Sequence, residues 1–306
     1  MATTFTTTSN FSGKNAGFYI SAALKEATSL DYLTIIENVK FKSNIQRMAG
    51  SDVVKDATCN FDPQGTLALT EKVLEPKNLQ INMDLCKKTL LDSWEALQMR
   101  AGAGAPPPPS FEDYVISYMG EIIADATEES IWEGTAVAGK FNGFLGAATG
   151  FLLPGVDATV IQSSASAAYD ATNIIANLQT LTADMAANVS PILRKEDLYI
   201  YMNSKTYAFY VSAVSTLGYV NAYNMNGDYE PVFEGYKIAV CPGMADNQLV
   251  AARKSNLFFG TDLVSDHTRI TLMDMANLDG SDNMRLVARY SAGVQTGVGA
   301  DIVRQS

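Results

Sequence analysis

The single histidine of this sequence, His267 in SDHTRI, has no second histidine to share a metal with, and the nearest cysteine along the chain is Cys241. A zinc site needs several such ligands, so His267 reads as a surface or turn residue. Cys59, Cys86 and Cys241 are far apart, odd in number and form no C-x-x-C pair. They read as buried thiols and not as a disulfide framework. There is no G-x-S-x-G nucleophile elbow and no G-x-x-x-x-G-K-[ST] phosphate loop. GFLGAATG, Gly143 to Gly150, does not match G-x-G-x-x-G and follows no predicted strand, so it reads as a structural loop. NMNGD, Asn224 to Asp228, is too short for a calcium loop and reads as a turn. The adjacent carboxylates Glu128 and Glu129 are of a type used in acid–base catalysis, but they sit on a predicted helix whose acidic face suits solvent or a partner. An enzyme using carboxylates on an α+β scaffold is one alternative, with no convergent polar set to support it. No catalytic residue, cofactor or metal is expected.

The totals fit an assembly subunit better. Hydrophobic residues make up 47% of the 306 residues, enough for a sizeable core, while charged residues make up only 18%. Low charge suits a chain that hides surface against partners. The net charge of −11 argues against a dedicated nucleic-acid reader, which needs a basic footprint, though not against a protein that merely encloses nucleic acid. No basic segment followed by an apolar core opens the sequence. The apolar run Gly143 to Val156 contains Pro154 and falls short of the roughly 20 residues a spanning helix needs. A soluble protein made in a cytoplasm, with no membrane partner, is expected.

The elements follow from pattern. The first dozen residues are Thr/Ser-rich and uncharged, a flexible arm, with a short helix expected over Asn15 to Ala27. Leu33 to Met48 alternates, with Val39, Phe41 and Ile45 on one face and Lys40, Lys42, Asn44 and Gln46 on the other. After a turn at Asp62-Pro63-Gln64-Gly65 the alternation resumes in TLALTEKVL, with Leu67, Leu69 and Val73 on one face. Two long strands with a polar tip make a protruding ribbon, which is marginal alone and needs something to lie on. Asn82 to Met99 reads as a helix with Leu85, Leu90, Trp94 and Leu97 inward, stopped by AGAGAPPPP. Ser110 then caps a long helix ending near Gly134, with Val115, Tyr118, Ile122 and Ala126 at helical spacing. Over Ser110 to Glu133 that is a rod of roughly 36 Å. It carries Glu112, Asp113, Glu121, Asp125, Glu128, Glu129 and Glu133 and no basic residue. A further helix is expected over Asp170 to Val189, with Ile174, Leu178, Leu181 and Met185 buried. DLYIYM reads as a strand, NSKTYAFYVSAV as a helix, and YKIAV, NQLVAA, LFFG, TRITLMD and MRLVARYSAGVQT as strands. The class is α+β without regular βαβ alternation.

This order resembles the major capsid proteins of tailed double-stranded DNA bacteriophages, the Hong-Kong-97-type fold. That order is N-terminal arm, two-stranded loop, long spine helix, α+β domain and returning strand. ESIWEG at the end of the spine helix, LYIYMNSKTYAFY, YKIAVCPGM, NQLVAARKSNLFFGTDL and LVARYSAGVQTGVGADIV are similar to phrases of that family. The resemblance implies an N-arm over residues 1–30, an extended loop over 31–80, a peripheral domain over 81–155 and 276–306 with its spine helix at 110–133, and an axial domain over 156–275. It implies a structural protein, not an enzyme. Such a protein self-assembles into pentamers and hexamers of an icosahedral head that encloses double-stranded DNA without sequence preference. Its partners would be a portal protein, a scaffolding protein and head decoration proteins. It would reside in the virion, after assembly in the bacterial host cytoplasm. An encapsulin-type compartment with protein cargo is the other alternative. The long scaffolding helix that some members carry at the N-terminus is absent, which implies a separate scaffold or earlier cleavage. No Lys–Asn cross-link is expected. Lys40, Lys42, Arg47, Lys55 and Lys72 of the ribbon and Glu112, Asp113, Glu121, Asp125, Glu128 and Glu129 of the spine are the candidate contacts between copies, through charge complementarity that fixes register.

Overall fold

Thirteen strands and three α-helices make up the described part of the chain. The computed structural model describes residues 28–51, 54–57, 59, 63–86, 109–165, 168–193, 195–216, 231–262, 271–278, 280–281 and 283–306. In chain order the elements are β1 (Thr34–Ile36), β2 (Ser43–Ser51), β3 (Thr66–Leu74), β4 (Lys77–Cys86), α1 (Pro109–Glu133), β5 (Ile161–Ser163), α2 (Ile174–Asn188), β6 (Leu198–Met202), α3 (Ser204–Thr216), β7 (Val232–Phe233), β8 (Tyr236–Val240), β9 (Leu249–Arg253), β10 (Leu257–Thr261), β11 (Thr271–Asp274), β12 (Asn283–Thr296) and β13 (Val303–Gln305). The expected helix Asn15 to Ala27, the Asn224 to Asp228 turn and His267 lie outside the described residues.

Three sheets form. The long β12 organises the first. β4 runs antiparallel along it from Asn283 to Ala292, while β11 and β10 pair in tandem with its other side, and β1 adds parallel to β10. The second sheet is six-stranded, in the order β5-β13-β9-β6-β8-β7. Among the described strands, β2 and β3 pair only with each other, as the ribbon.

The register of the second sheet makes it a wall between two cores. Tyr201, Ala239 and Val250 lie in register on one face and pack with Trp132, Phe144, Leu152, Phe259 and Val294. Trp132 stacks at tilted angles on Phe144 and Tyr201, centroids 5.4 and 5.5 Å apart. The opposite face carries Ile200, Met202 and Ala251, which α2 covers with Ile174, Leu178, Leu181 and Met185, the four residues the helical spacing predicts. Each such fully buried side chain contributes about 1.5–3 kcal/mol.

Four expectations need correction. Residues 82–86 belong to β4, not to a helix, because Asn82 to Cys86 pair with Asn283 to Val287; the remainder of that predicted helix, 87–99, lies outside the described residues. α1 begins at Pro109, so Ser110 is its second residue and not its cap; proline's fixed φ suits the first turn. The inward stripe of α1 is Met119, Ile123, Thr127, Ser130 and Ile131, whereas Ile122 is 38% exposed. Finally, the strand expected over Leu33 to Met48 is broken, with β1 and β2 flanking an irregular stretch in which Val39 is buried and Phe41 exposed. Gly134 does end α1, as expected. Its Cβ would collide with the carbonyls of Phe141 and Ser130.

The reason is how α1 is capped. Its last carbonyls are taken by the glycine-rich run: Phe144 N–H donates to Ile131 O (2.8 Å), Leu145 N–H to Trp132 O (2.6 Å) and Gly143 N–H to Gly134 O (2.8 Å). A Cβ on Gly143 would meet the Ser130 and Trp132 oxygens at 2.6 and 2.8 Å. The glycines allow one backbone to lie against the other and satisfy helix-end acceptors that would otherwise be orphaned.

The same helix end is tied sideways by a buried carboxylate. Ser29 donates to Glu128 from its N–H (3.1 Å) and its hydroxyl (2.5 Å), and Gly243 N–H adds a third bond at 3.3 Å. Trp132 Nε1–H donates to the Ser29 oxygen at 2.7 Å. One side chain thus joins the segment entering the fold, the long helix and the turn after β8. Replacing Glu128 with Ala leaves those donors unpaired in the interior, and a loss of about 3 kcal/mol in urea unfolding is expected, with Glu128→Gln losing about half as much. A change below about 0.5 kcal/mol, the range of ordinary surface substitutions, would contradict this role.

Candidate assembly interface

Alternation along β2 and β3 sorts the ribbon into two faces. The pairs Met48↔Leu69, Gly50↔Leu67, Gln46↔Glu71 and Asn44↔Val73 share one face. Met48 is 65% exposed, Leu67 68% and Leu69 61%. The other face carries Ile45, Arg47, Lys72 and Leu74, and it turns inward only at the root, where Leu74 is fully buried. The ribbon therefore has apolar side chains in solvent on one face and no core of its own.

Its root is held by several polar contacts. Lys72 Nζ donates to Asp157 Oδ2 at 2.6 Å and to Thr296 Oγ1 at 2.9 Å. The second Asp157 oxygen accepts from the Thr159 N–H (3.0 Å) and hydroxyl (2.5 Å). Gln295 Nε2 donates to Val73 O at 2.8 Å, and Lys42 pairs with Glu75 at 3.1 Å. Just beyond, Lys77 Nζ donates to the carbonyls of Ala136 (3.1 Å), Val137 (2.7 Å) and Lys140 (2.8 Å), fixing the loop that follows α1. Burial works to raise the Asp157 carboxyl, but the bonds from Lys72 and Thr159 together hold it below its ordinary 3.8.

The predicted contact residues fall into distinct settings. Lys40 and Arg47 are exposed. Lys42 is paired with Glu75 and lies 5.1 Å from the ring of the exposed Phe41. Lys55, at the ribbon tip, is half-buried and has a partner within the chain. Lys72 is used at the root. On α1, Glu121, Asp125 and Glu129 are exposed and recur every fourth residue, one acidic stripe about 12 Å long. Glu129 meets Lys140 at 2.5 Å. Glu133, at the end of the stripe, is half-buried, and burial followed by the Glu129 charge raises its carboxyl. Glu128 departs from the set, since it points inward to Ser29 and Gly243. The side chains of Glu112 and Asp113 lie outside the described residues. Sequence reasoning missed Asp157 and Lys77. Neither belongs to a local motif, because their partners lie 85 and about 60 residues away.

Among the described residues no three His, Cys, Asp or Glu side chains group to hold a metal. Cys241 is fully buried, and burial pushes its thiol well up, away from the nucleophilic thiolate; Cys59 and Cys86 are exposed, against expectation. No described helix is long and apolar enough to cross a membrane.

What remains is an architecture: a long helix, a five-stranded sheet built on one returning strand, a six-stranded sheet with two helices, and a projecting ribbon. The same architecture occurs in the capsid of a native GTA particle, at TM-score 0.58 and 14% identity over 91% of this chain and 89% of that one. It occurs in the procapsid of satellite phage P4 that includes the size determination (Sid) protein, at TM-score 0.57 and 12% identity over 94% and 89%. This is the Hong-Kong-97-type capsid fold. A virus-like particle from Pyrococcus furiosus shares the capsid fold at TM-score 0.55 and 10% identity, over 96% of this chain and 99% of that one. No protein-family model matches the sequence, and no curated protein matches it. At these identities the likeness is one of fold.

The depressed Asp157 carboxyl gives the ribbon root a pH dependence. Its contribution is complete above the ordinary value of 3.8 and is lost as the pH falls through the lower value of the folded state. Asp157→Asn is expected to speed amide exchange in β2 and β3 at neutral pH by about tenfold and to flatten the acid-side rise in that exchange. Unchanged exchange would show that the root is held without this pair.

Proposed function

We propose that this chain is the major subunit of an icosahedral shell, built from pentamers and hexamers, that encloses the double-stranded DNA of a tailed phage. The observation that carries this reading is the ribbon: a projecting pair of strands with Met48, Leu67 and Leu69 in solvent, on a chain with a capsid fold. Surface of that kind gains stability when something covers it, and in this reading the cover is another copy. In this reading the five-stranded sheet and α1 form the peripheral domain, and the six-stranded sheet with α2 and α3 forms the axial one. In this reading β10 and β11 go with the peripheral sheet and β13 with the axial one. Portal, scaffolding and decoration proteins are the further partners, with assembly in a bacterial cytoplasm and residence in the virion. The chain acts by packing and not by catalysis.

Between copies, the free cations Lys40 and Arg47 of one ribbon would meet the Glu121 and Asp125 stripe of the next spine helix, setting register and encounter rate. Lys40→Glu with Arg47→Glu should lower shell yield about tenfold while changing folding stability by no more than about 0.5 kcal/mol. Normal yield would remove these charges from the interface. The cargo decides between the phage and encapsulin readings. Nuclease-treated particles from the producing cell should retain double-stranded DNA, whereas protein cargo without DNA would overturn the phage reading.

A further inference from the structure

Lys72 and Glu128, the charges drawn into the body, each have partners within the chain, and Arg304 differs from them. Arg253 Nε donates to both oxygens of Asp197 at 3.0 and 3.2 Å. Lys72 has Asp157, and Glu128 has three donors. Arg304 lies in β13 between β5 and β9 and is only 9% exposed. Among the described residues its Nε has no hydrogen-bond partner. Among the same residues its two terminal nitrogens reach only neutral amide oxygens, Gln162 Oε1 at 3.3 Å and Gln248 Oε1 at 3.5 Å. No acidic side chain among the described residues pairs with it. Burial draws its pKa down, opposed by the Tyr169 hydroxyl, itself neutral at ordinary pH. A guanidinium stays charged throughout the accessible pH range. Burying it without an anion is costly, and such groups are retained where an anion completes them.

We infer that Arg304 is one half of an ion pair whose carboxylate comes from a second copy of this chain. The planar fork of arginine fits a carboxylate with two parallel bonds. Gln162, beside it, is exposed and leaves a side open to an arriving side chain. The chain has 33 acidic residues against 22 basic ones, so carboxylate is what a second copy offers in excess. A nucleic-acid phosphate fits less well, because a backbone track requires several cations and the groups bonded to Arg304 are two glutamines. The inference rests on the shell reading and adds a specific point of contact to it.

The sign of a stability change tests it. In the unassembled full-length chain, Arg304→Met removes an unpaired buried charge, and the melting temperature should rise by about 3 °C. Shell assembly by the same variant should fall at least tenfold, and Arg304→Lys, which keeps the charge but loses the fork, should assemble at an intermediate level. A fall in the melting temperature of unassembled Arg304→Met would place the partner inside the chain and overturn the inference. Wild-type assembly by Arg304→Met would overturn it as well, and if those shells held less DNA the anion would be a phosphate. A wild-type chain that forms no oligomer would overturn the shell reading and this inference together.

Discussion

A two-stranded ribbon has one neighbour per strand and no second layer, so its stability must come from outside itself. In this chain that requirement falls on the root. Lys72 is drawn to Asp157 and Thr296, Val73 is bonded by Gln295, Lys42 is paired with Glu75, and Leu74 is buried. The C-terminal end of β12 and the loop before β5 converge there and supply these partners. The remainder of the ribbon is left with Met48, Leu67 and Leu69 exposed. A root held by polar bonds and a face that no described residue covers is the arrangement expected of an arm whose cover is another molecule.

The same logic of distant partners runs through the body. Glu128 gathers Ser29, Gly243 and, through Ser29, Trp132. Lys77 fixes the loop after α1, and residues 143–145 cap that helix. These bonds link segments up to 115 residues apart in sequence. They convert a set of long, thin elements into a frame from which ribbon and acidic stripe project at fixed places.

Much of this was legible in the sequence, and the misses have physical causes. The alternation in TLALTEKVL and the helical spacing of Ile174, Leu178, Leu181 and Met185 report local periodicity, and the structure keeps both. β4 carried an equally clear alternation, Leu79, Ile81, Met83 and Leu85 against Gln80, Asn82 and Asp84. It was overridden by the helical look of the residues that follow, and only pairing with β12 decides it. The inward turn of Glu128 could not be read locally, because an exposed and a buried carboxylate on one helix differ only in what lies opposite. GFLGAATG reads as a structural loop, and nothing in the run itself points to the end of α1 as what it packs against. The Asp157 clasp and the solitary Arg304 are set by contacts between elements far apart, and their sequence neighbourhoods carry no motif.

The central claim is that the exposed ribbon and the acidic spine are surfaces made for other copies of the same chain. Light scattering on the purified protein, followed by negative-stain microscopy of the same sample, addresses it directly. The account predicts closed shells, or rings of five and six where closure is blocked. A chain that stays monomeric at high concentration, with salt or crowding agents added, would contradict it and would require the exposed face of Met48, Leu67 and Leu69 to be explained without a partner.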